Sequence, residues 1–155
     1  MPKQFYKVKD YRSRRSIGYL LRLAGKLITQ RMETLFDGED FNFVQWVILM
    51  NLREGIAATA NELSQRMCHD AGAMTRTLDQ MEAGGLINRT RSTTDRRIVE
   101  LELTKGGEKV CAQFLPRVVD FYNEIFDDFT NEEAEKTIEL LSRLTAKLGA
   151  TDKER

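Results

Sequence analysis

Histidine is almost missing from this 155-residue chain, where His69 stands alone, and the only cysteines are Cys68 and Cys111. A zinc site needs three or four ligands at close spacing, and nothing near the adjacent Cys68 and His69 completes one. Neither a metal nor another cofactor is therefore expected. Two cysteines far apart in a chain without a secretory signal do not suggest a disulfide framework, so both are expected to pack as small apolar residues. Also lacking is any run approaching the roughly 18 apolar residues of a membrane span. The opening MPKQFYKVKDYRSRR carries no apolar segment after its charges, so a cytoplasmic protein without membrane attachment is expected. No glycine-rich phosphate loop and no paired nucleophile and base are visible, so the chain is not expected to be an enzyme.

Net charge is absent too, with 24 basic residues against 24 acidic ones. That balance would argue against a nucleic-acid partner if the charges were evenly spread, but they are segregated. Residues 1–31 hold Lys3, Lys7, Lys9, Arg12, Arg14, Arg15, Arg22, Lys26 and Arg31 against Asp10 alone. Residues 120–139 hold Asp120, Glu124, Asp127, Asp128, Glu132, Glu133, Glu135 and Glu139 against Lys136 alone.

Hydrophobic residues make up 41% of the chain, enough for a core and too many for wholesale disorder. Their spacing predicts a long amphipathic helix over 16–35, ended by Asp37-Gly38, and a second over 44–53 that carries Trp46 and stops at Gly55. A short helix follows over 61–67, and Asp70 caps a fourth over 71–83 with Met74, Leu78 and Met81 facing inward and Gly84-Gly85 as its stop. Two short helices joined by a tight turn make a helix-turn-helix. Residues 86–91 and 98–103 then read as strands flanking the polar, basic loop 92–97, a hairpin with an exposed tip. A helical run from Thr104 to about Phe129 is interrupted by Pro116, which predicts a bend or a boundary. Thr130 and Glu133 form a capping box for a last helix with the stripe Ile138, Leu141, Leu144 and Leu148, and the tail 151–155 is expected to fray.

A helix-turn-helix followed by such a hairpin is a winged helix, so the fold class is mainly α with a small β-hairpin wing. The pieces Ala60-Asn61-Glu62-Leu63, residues 74–82 (MTRTLDQME), Gly85-Leu86-Ile87, Asp95-Arg96-Arg97 and Leu103-Thr104 follow in one order and spacing. In this the chain resembles the MarR (multiple antibiotic resistance regulator) family over residues 18–148. The resemblance implies one domain, 1–155, in which 57–104 form the DNA-binding lobe while 1–36 and 105–150 supply dimerisation helices. It also implies a transcriptional regulator, acting as a homodimer on a pseudo-palindromic operator in double-stranded DNA, and a repressor released by a small ligand.

On that basis the expected DNA-binding residues are Gly72, Ala73, Thr75, Arg76 and Asp79 on the recognition helix, and Arg89, Arg91, Thr93, Thr94, Asp95, Arg96 and Arg97 on the wing. Small residues at the helix start allow close approach to phosphate, and Thr75 and Arg76 offer donors to base edges or phosphates. Asp95 and Arg97 match the family's Asp-x-Arg element, in which the carboxylate orients the guanidinium at the tip for a minor groove. Arg89, Arg91 and Arg96 would add phosphate contacts. Trp46, with Tyr19 and Arg22, would line a pocket suited to a small aromatic or phenolic ligand; plain core packing of Trp46 is the alternative. Aromatic terminal material, including Phe5, Tyr6, Tyr11, Phe121, Tyr122, Phe126 and Phe129, exceeds what a small winged helix buries and points to the dimer. A winged-helix module that binds protein and not DNA is the rival reading, favoured by the zero net charge.

Overall fold

The computed structural model describes residues 5–149. The tail 151–155 lies outside the described residues. Two single 3-10 turns, Val8–Asp10 and Ser13–Arg15, lead into helix α1, Ile17–Thr34. Its start is capped twice: Ser16 Oγ accepts the Tyr19 N–H at 3.3 Å, and Tyr6 Oη accepts the Ile17 N–H at 2.9 Å. Helix α2, Phe43–Arg53, opens on a capping box between Asn42 and Gln45. Helix α3, Ala60–Met67, opens on another between Thr59 and Glu62, and helix α4, Ala71–Ala83, opens on Asp70. Each cap satisfies backbone donors that the first turn leaves unpaired, an effect of about 1 kcal/mol.

Strands β1, Ile87–Arg91, and β2, Val99–Leu103, pair antiparallel with Arg89 opposite Leu101 and Arg91 opposite Val99. The outer edge of β2 is not open along its whole length, because the Leu101 N–H donates to the Ala58 carbonyl at 2.7 Å. Thr104 then joins hairpin to helix. Its hydroxyl donates to the Gly85 carbonyl at 2.6 Å and accepts the Gly107 N–H at 3.1 Å, which starts helix α5, Lys105–Ile125.

Helix α5 passes through Pro116 without a boundary. Proline removes one N–H from the ladder, and both Pro116 and Ala112, whose carbonyl loses that donor, are exposed, so solvent can satisfy the carbonyl. The helix nevertheless stops at Ile125, short of the expected Phe129, and the Phe129 N–H closes a turn onto the Phe126 carbonyl at 2.9 Å. Asp127 and Asp128 follow there, and acids are unfavourable at the negative end of a helix dipole. Helix α6, Asn131–Lys147, begins at the Thr130–Glu133 capping box. The Thr130 N–H and hydroxyl hold the Glu133 carboxyl below its usual range.

The buried residues form two clusters. One lies under the lobe and joins Ile48, Leu49, Leu63, Met74, Leu78, Met81, Ile87, Leu101 and Cys111. The other joins Met32, Phe36, Trp46, Phe114, Val118 and Phe121, with the Phe36 and Phe114 rings stacked at 5.3 Å. Outside these clusters the terminal helices are bare. Helix α1 buries only Met32, helix α6 buries nothing, and Leu20, Leu27 and Ile138 are 49%, 51% and 58% exposed.

Candidate nucleic-acid interface

Helix α4 is positioned from below. Met74, Leu78 and Met81 are each almost fully buried, which turns the flank with Gly72, Thr75, Arg76 and Asp79 to solvent; Ala73 is half-buried. At its start Asp70 Oδ1 accepts the Ala73 N–H at 3.0 Å. Thr75 Oγ1 donates back to the Ala71 carbonyl at 2.9 Å, so the methyl and a hydroxyl lone pair are what that side chain presents outward.

The hairpin has two chemically distinct faces. Side chains alternate along a strand and cross-strand partners share a face. Ile87, Arg89 and Arg91 therefore lie on one side with Leu103, Leu101 and Val99, while Glu100 and Glu102 lie on the other with Thr90 and Asn88. Burial falls off along the first face: Ile87 is in the core, Arg89 is half-buried and Arg91 is exposed. The arginines thus project from the face that meets α4, and the two strand glutamates are kept off it.

The loop between the strands is closed by its own polar groups. Ser92, 3% exposed, pairs its hydroxyl with that of Thr94 at 2.9 Å, and its N–H donates to the Ile98 carbonyl at 3.0 Å. Asp95 Oδ1 accepts the main-chain N–H of Arg97 at 2.9 Å. This corrects the expected contact of that carboxylate with the guanidinium: an Asp side chain two residues back reaches the backbone first, as in an Asx-turn. Among the described residues Arg97 makes no ion pair, and Thr93, Thr94, Asp95, Arg96 and Arg97 are all exposed. Ser92 was missed from sequence because a small polar residue beside a strand reads as any turn residue.

Arg89 is placed differently from the expected phosphate contact. Its Nη1 lies 2.6 Å from Asp79 Oδ1 and 3.0 Å from Glu82 Oε2, so it is held by α4. Arg91, Arg96 and Arg97 are exposed nearer the tip, and Arg76 is exposed on the helix.

The residues expected to line a ligand pocket are not gathered within one chain. Tyr19 and Arg22 touch each other, with the guanidinium 5.9 Å from the ring centre, near the start of α1. Trp46 packs instead with Met32 and Phe36, some 15–20 Å further along α1 at 1.5 Å per residue. Its indole Nε1 is buried without a hydrogen-bond partner. A groove of about 330 Å³ does lie between α1 and α5, lined by Arg31, Thr34, Leu35, Arg117, Asp120, Phe121 and Glu124. Arg31 crosses it to Glu124 at 2.6 Å, a pairing across 93 positions that the sequence pattern does not announce.

The cysteines separate as well. Cys111 is fully buried, and that burial pushes its thiol above the ordinary range, but Cys68 is exposed and not a packing residue. It ends α3 in a left-handed conformation, φ 51°, which carries its side chain out of the core.

The same arrangement recurs in known proteins. A family model described as the MarR family matches residues 41–99. YpoP of Bacillus subtilis, an uncharacterized HTH-type transcriptional regulator, is 30% identical over 128 residues, covering 83% of this chain and 90% of that protein. The structure of an Escherichia coli MarR cysteine-to-serine mutant complexed with operator DNA superposes with a TM-score of 0.70 at 26% identity, covering 82% of this chain and 91% of that one. BpsR of Bordetella bronchiseptica, whose DNA binding is regulated by 6-hydroxynicotinic acid, shares the fold with a TM-score of 0.76 at 20% identity, covering 91% of this chain and 99% of that one. Among the described residues no helix is long and apolar enough to cross a membrane.

Proposed function

This chain belongs to the MarR family of DNA-binding transcriptional regulators, and from that membership we propose its working cycle: a homodimer occupies a pseudo-palindromic operator as a repressor and leaves it when a small aromatic or phenolic ligand binds. Residues 57–104 serve as the DNA-binding lobe, and 1–36 with 105–150 as dimerisation helices. The cycle runs in the cytoplasm, and the chain's own part in it is binding rather than catalysis. One observation carries the reading: the exposed flank of α4 and the arginine-bearing face of the hairpin lie side by side, joined through Arg89.

In this cycle α4 enters a major groove, with Gly72 and Ala73 admitting phosphate to the helix start and Thr75 and Arg76 reaching base edges. Arg97, free of any acidic partner among the described residues, enters the adjacent minor groove, where a narrow groove concentrates negative potential. Arg91 and Arg96 with Thr93 and Thr94 hold the backbone, and Asp95 shapes the tip. Two lobes related by a two-fold axis meet half-sites about one helical turn apart. Tyr19 and Arg22 grip the ligand through stacking and a charge-assisted pair, while Trp46 packs in the core with Met32 and Phe36, away from them. Ligand binding then acts only through its differential affinity for the two lobe spacings.

The test begins with selection of duplexes by the purified protein, followed by titration of Arg97→Ala against the recovered sequence. The variant is expected to bind roughly tenfold more weakly, with the slope of log K against log salt reduced by about one, and with an unchanged circular dichroism spectrum. Unchanged affinity removes the wing assignment. Recovery of no duplex at all favours the protein-interaction reading, which the balanced formal charge of the chain supports.

A further inference from the structure

An arginine on a wing strand that faces a recognition helix has two possible employers, the nucleic acid or the helix itself. Three observations decide between them for Arg89. A single guanidinium nitrogen reaches Asp79 at 2.6 Å and Glu82 at 3.0 Å. The two acids stand three residues apart on α4 and so lie on one flank of the helix. The Arg89 side chain is the least exposed of the three, at 28% against 56% and 41%, so it is the most enclosed member of the cluster.

The link has something to hold. α4 and β1 are joined through Gly84 and Gly85, the second at φ +69°, a left-handed conformation natural to glycine. On the inner side the angle between the elements is set by packing of Leu78, Met81 and Ile87. On the outer side, toward the proposed groove, Arg89 is what bridges them. The bridge also offsets one of the two negative charges that the recognition helix would otherwise turn toward phosphates.

We infer that Arg89, Asp79 and Glu82 form a clamp that fixes the angle of the recognition helix to the wing, and that Arg89 is a positioning residue for operator discrimination and not a phosphate contact. This rests on the DNA-binding reading above. A fixed angle matters for a specific site, where helix and wing must enter two grooves in register. It matters far less for non-specific binding, which is carried by charge.

The experiment compares a duplex selected by the intact protein with a scrambled duplex of the same length and composition. Three variants are used: Arg89→Ala, the near-isosteric pair Asp79→Asn with Glu82→Gln, and all three changes together. The clamp requires that Arg89→Ala and the amide pair each lower the selected-to-scrambled affinity ratio by about tenfold, and that the triple variant lose little more, as coupled residues do. The amide pair is the sharper arm, since deleting two acids beside DNA should strengthen binding on charge alone. It also carries the test if Arg89→Ala fails to fold. A general loss of stability would lower both affinities and leave their ratio unchanged, which overturns the inference. So does an Arg89→Ala variant that weakens both duplexes equally and loses about one from the salt slope. If the intact chain selects no duplex, the DNA-binding reading itself falls and takes the clamp with it.

Discussion

Cys111 and Cys68 occupy opposite environments, and their chemistry should separate accordingly. Cys111 has no solvent exposure, and burial holds its thiol in the protonated, unreactive form, whereas Cys68 is exposed on the turn before α4. A colorimetric disulfide reagent is expected to titrate Cys68 alone in the folded chain and Cys111 only after denaturation. Equal rates for the two in native buffer would contradict the burial of Cys111. At this scale the sequence is legible at the caps Asp70 and Thr130, whose partners lie three positions on. It is not legible where a long side chain chooses among partners. Arg89 reads as a free basic wing residue until the turn at Gly84 and Gly85 brings Asp79 beneath it, and Asp95 has both a guanidinium and an N–H of Arg97 within reach.

Among the elements, the start of α5 is the most tightly fitted. A Cβ on Gly107 would collide with the Leu86 carbonyl oxygen and come within 2.9 Å of Leu103 Cδ2, so this turn of helix lies directly on the base of the hairpin. Gly107→Ala is expected to destabilise the fold by about 1–3 kcal/mol, read as a fall in melting temperature. Gly25, in α1 with nothing within 4 Å of a built Cβ, provides the opposite case. Gly25→Ala should stabilise by up to about 1 kcal/mol through helix propensity. If Gly107→Ala melted with the wild type, the close approach of α5 to Leu86 would be wrong. The helices themselves follow from spacing of apolar residues, and α4 runs over the predicted residues because both its cap and its stop are local. No boundary falls at Pro116, because its effect depends on whether the orphaned carbonyl reaches solvent, a property of the packed helix and not of the residue.

For the whole molecule, the uncovered terminal helices are the dominant feature. α1 and α6, with Leu148 just past the end of α6, leave Ile17, Leu20, Leu27, Ile138, Leu140 and Leu148 in solvent, an apolar surface that a lone chain does not cover. In the proposed homodimer a second copy would cover it. Leu20→Lys combined with Leu27→Lys is therefore expected to shift the protein from dimer to monomer in light scattering. The same variant should weaken operator binding, since each lobe must then find its half-site unaided. A variant that remains dimeric at micromolar concentration would place the interface elsewhere. Because the lobe core of Leu63, Leu78 and Ile87 is closed without these helices, the monomer should keep its helical spectrum.

The Leu101 N–H bonded to the Ala58 carbonyl has an effect beyond holding the lobe together. A two-stranded ribbon normally offers both flanks as templates on which another chain can add a strand, the usual seed of aggregation. Here the chain segment ahead of α3 occupies one flank at its midpoint, and charged side chains along the strands disfavour addition of a further strand. The wing can therefore stand out in solvent without becoming sticky toward its own kind.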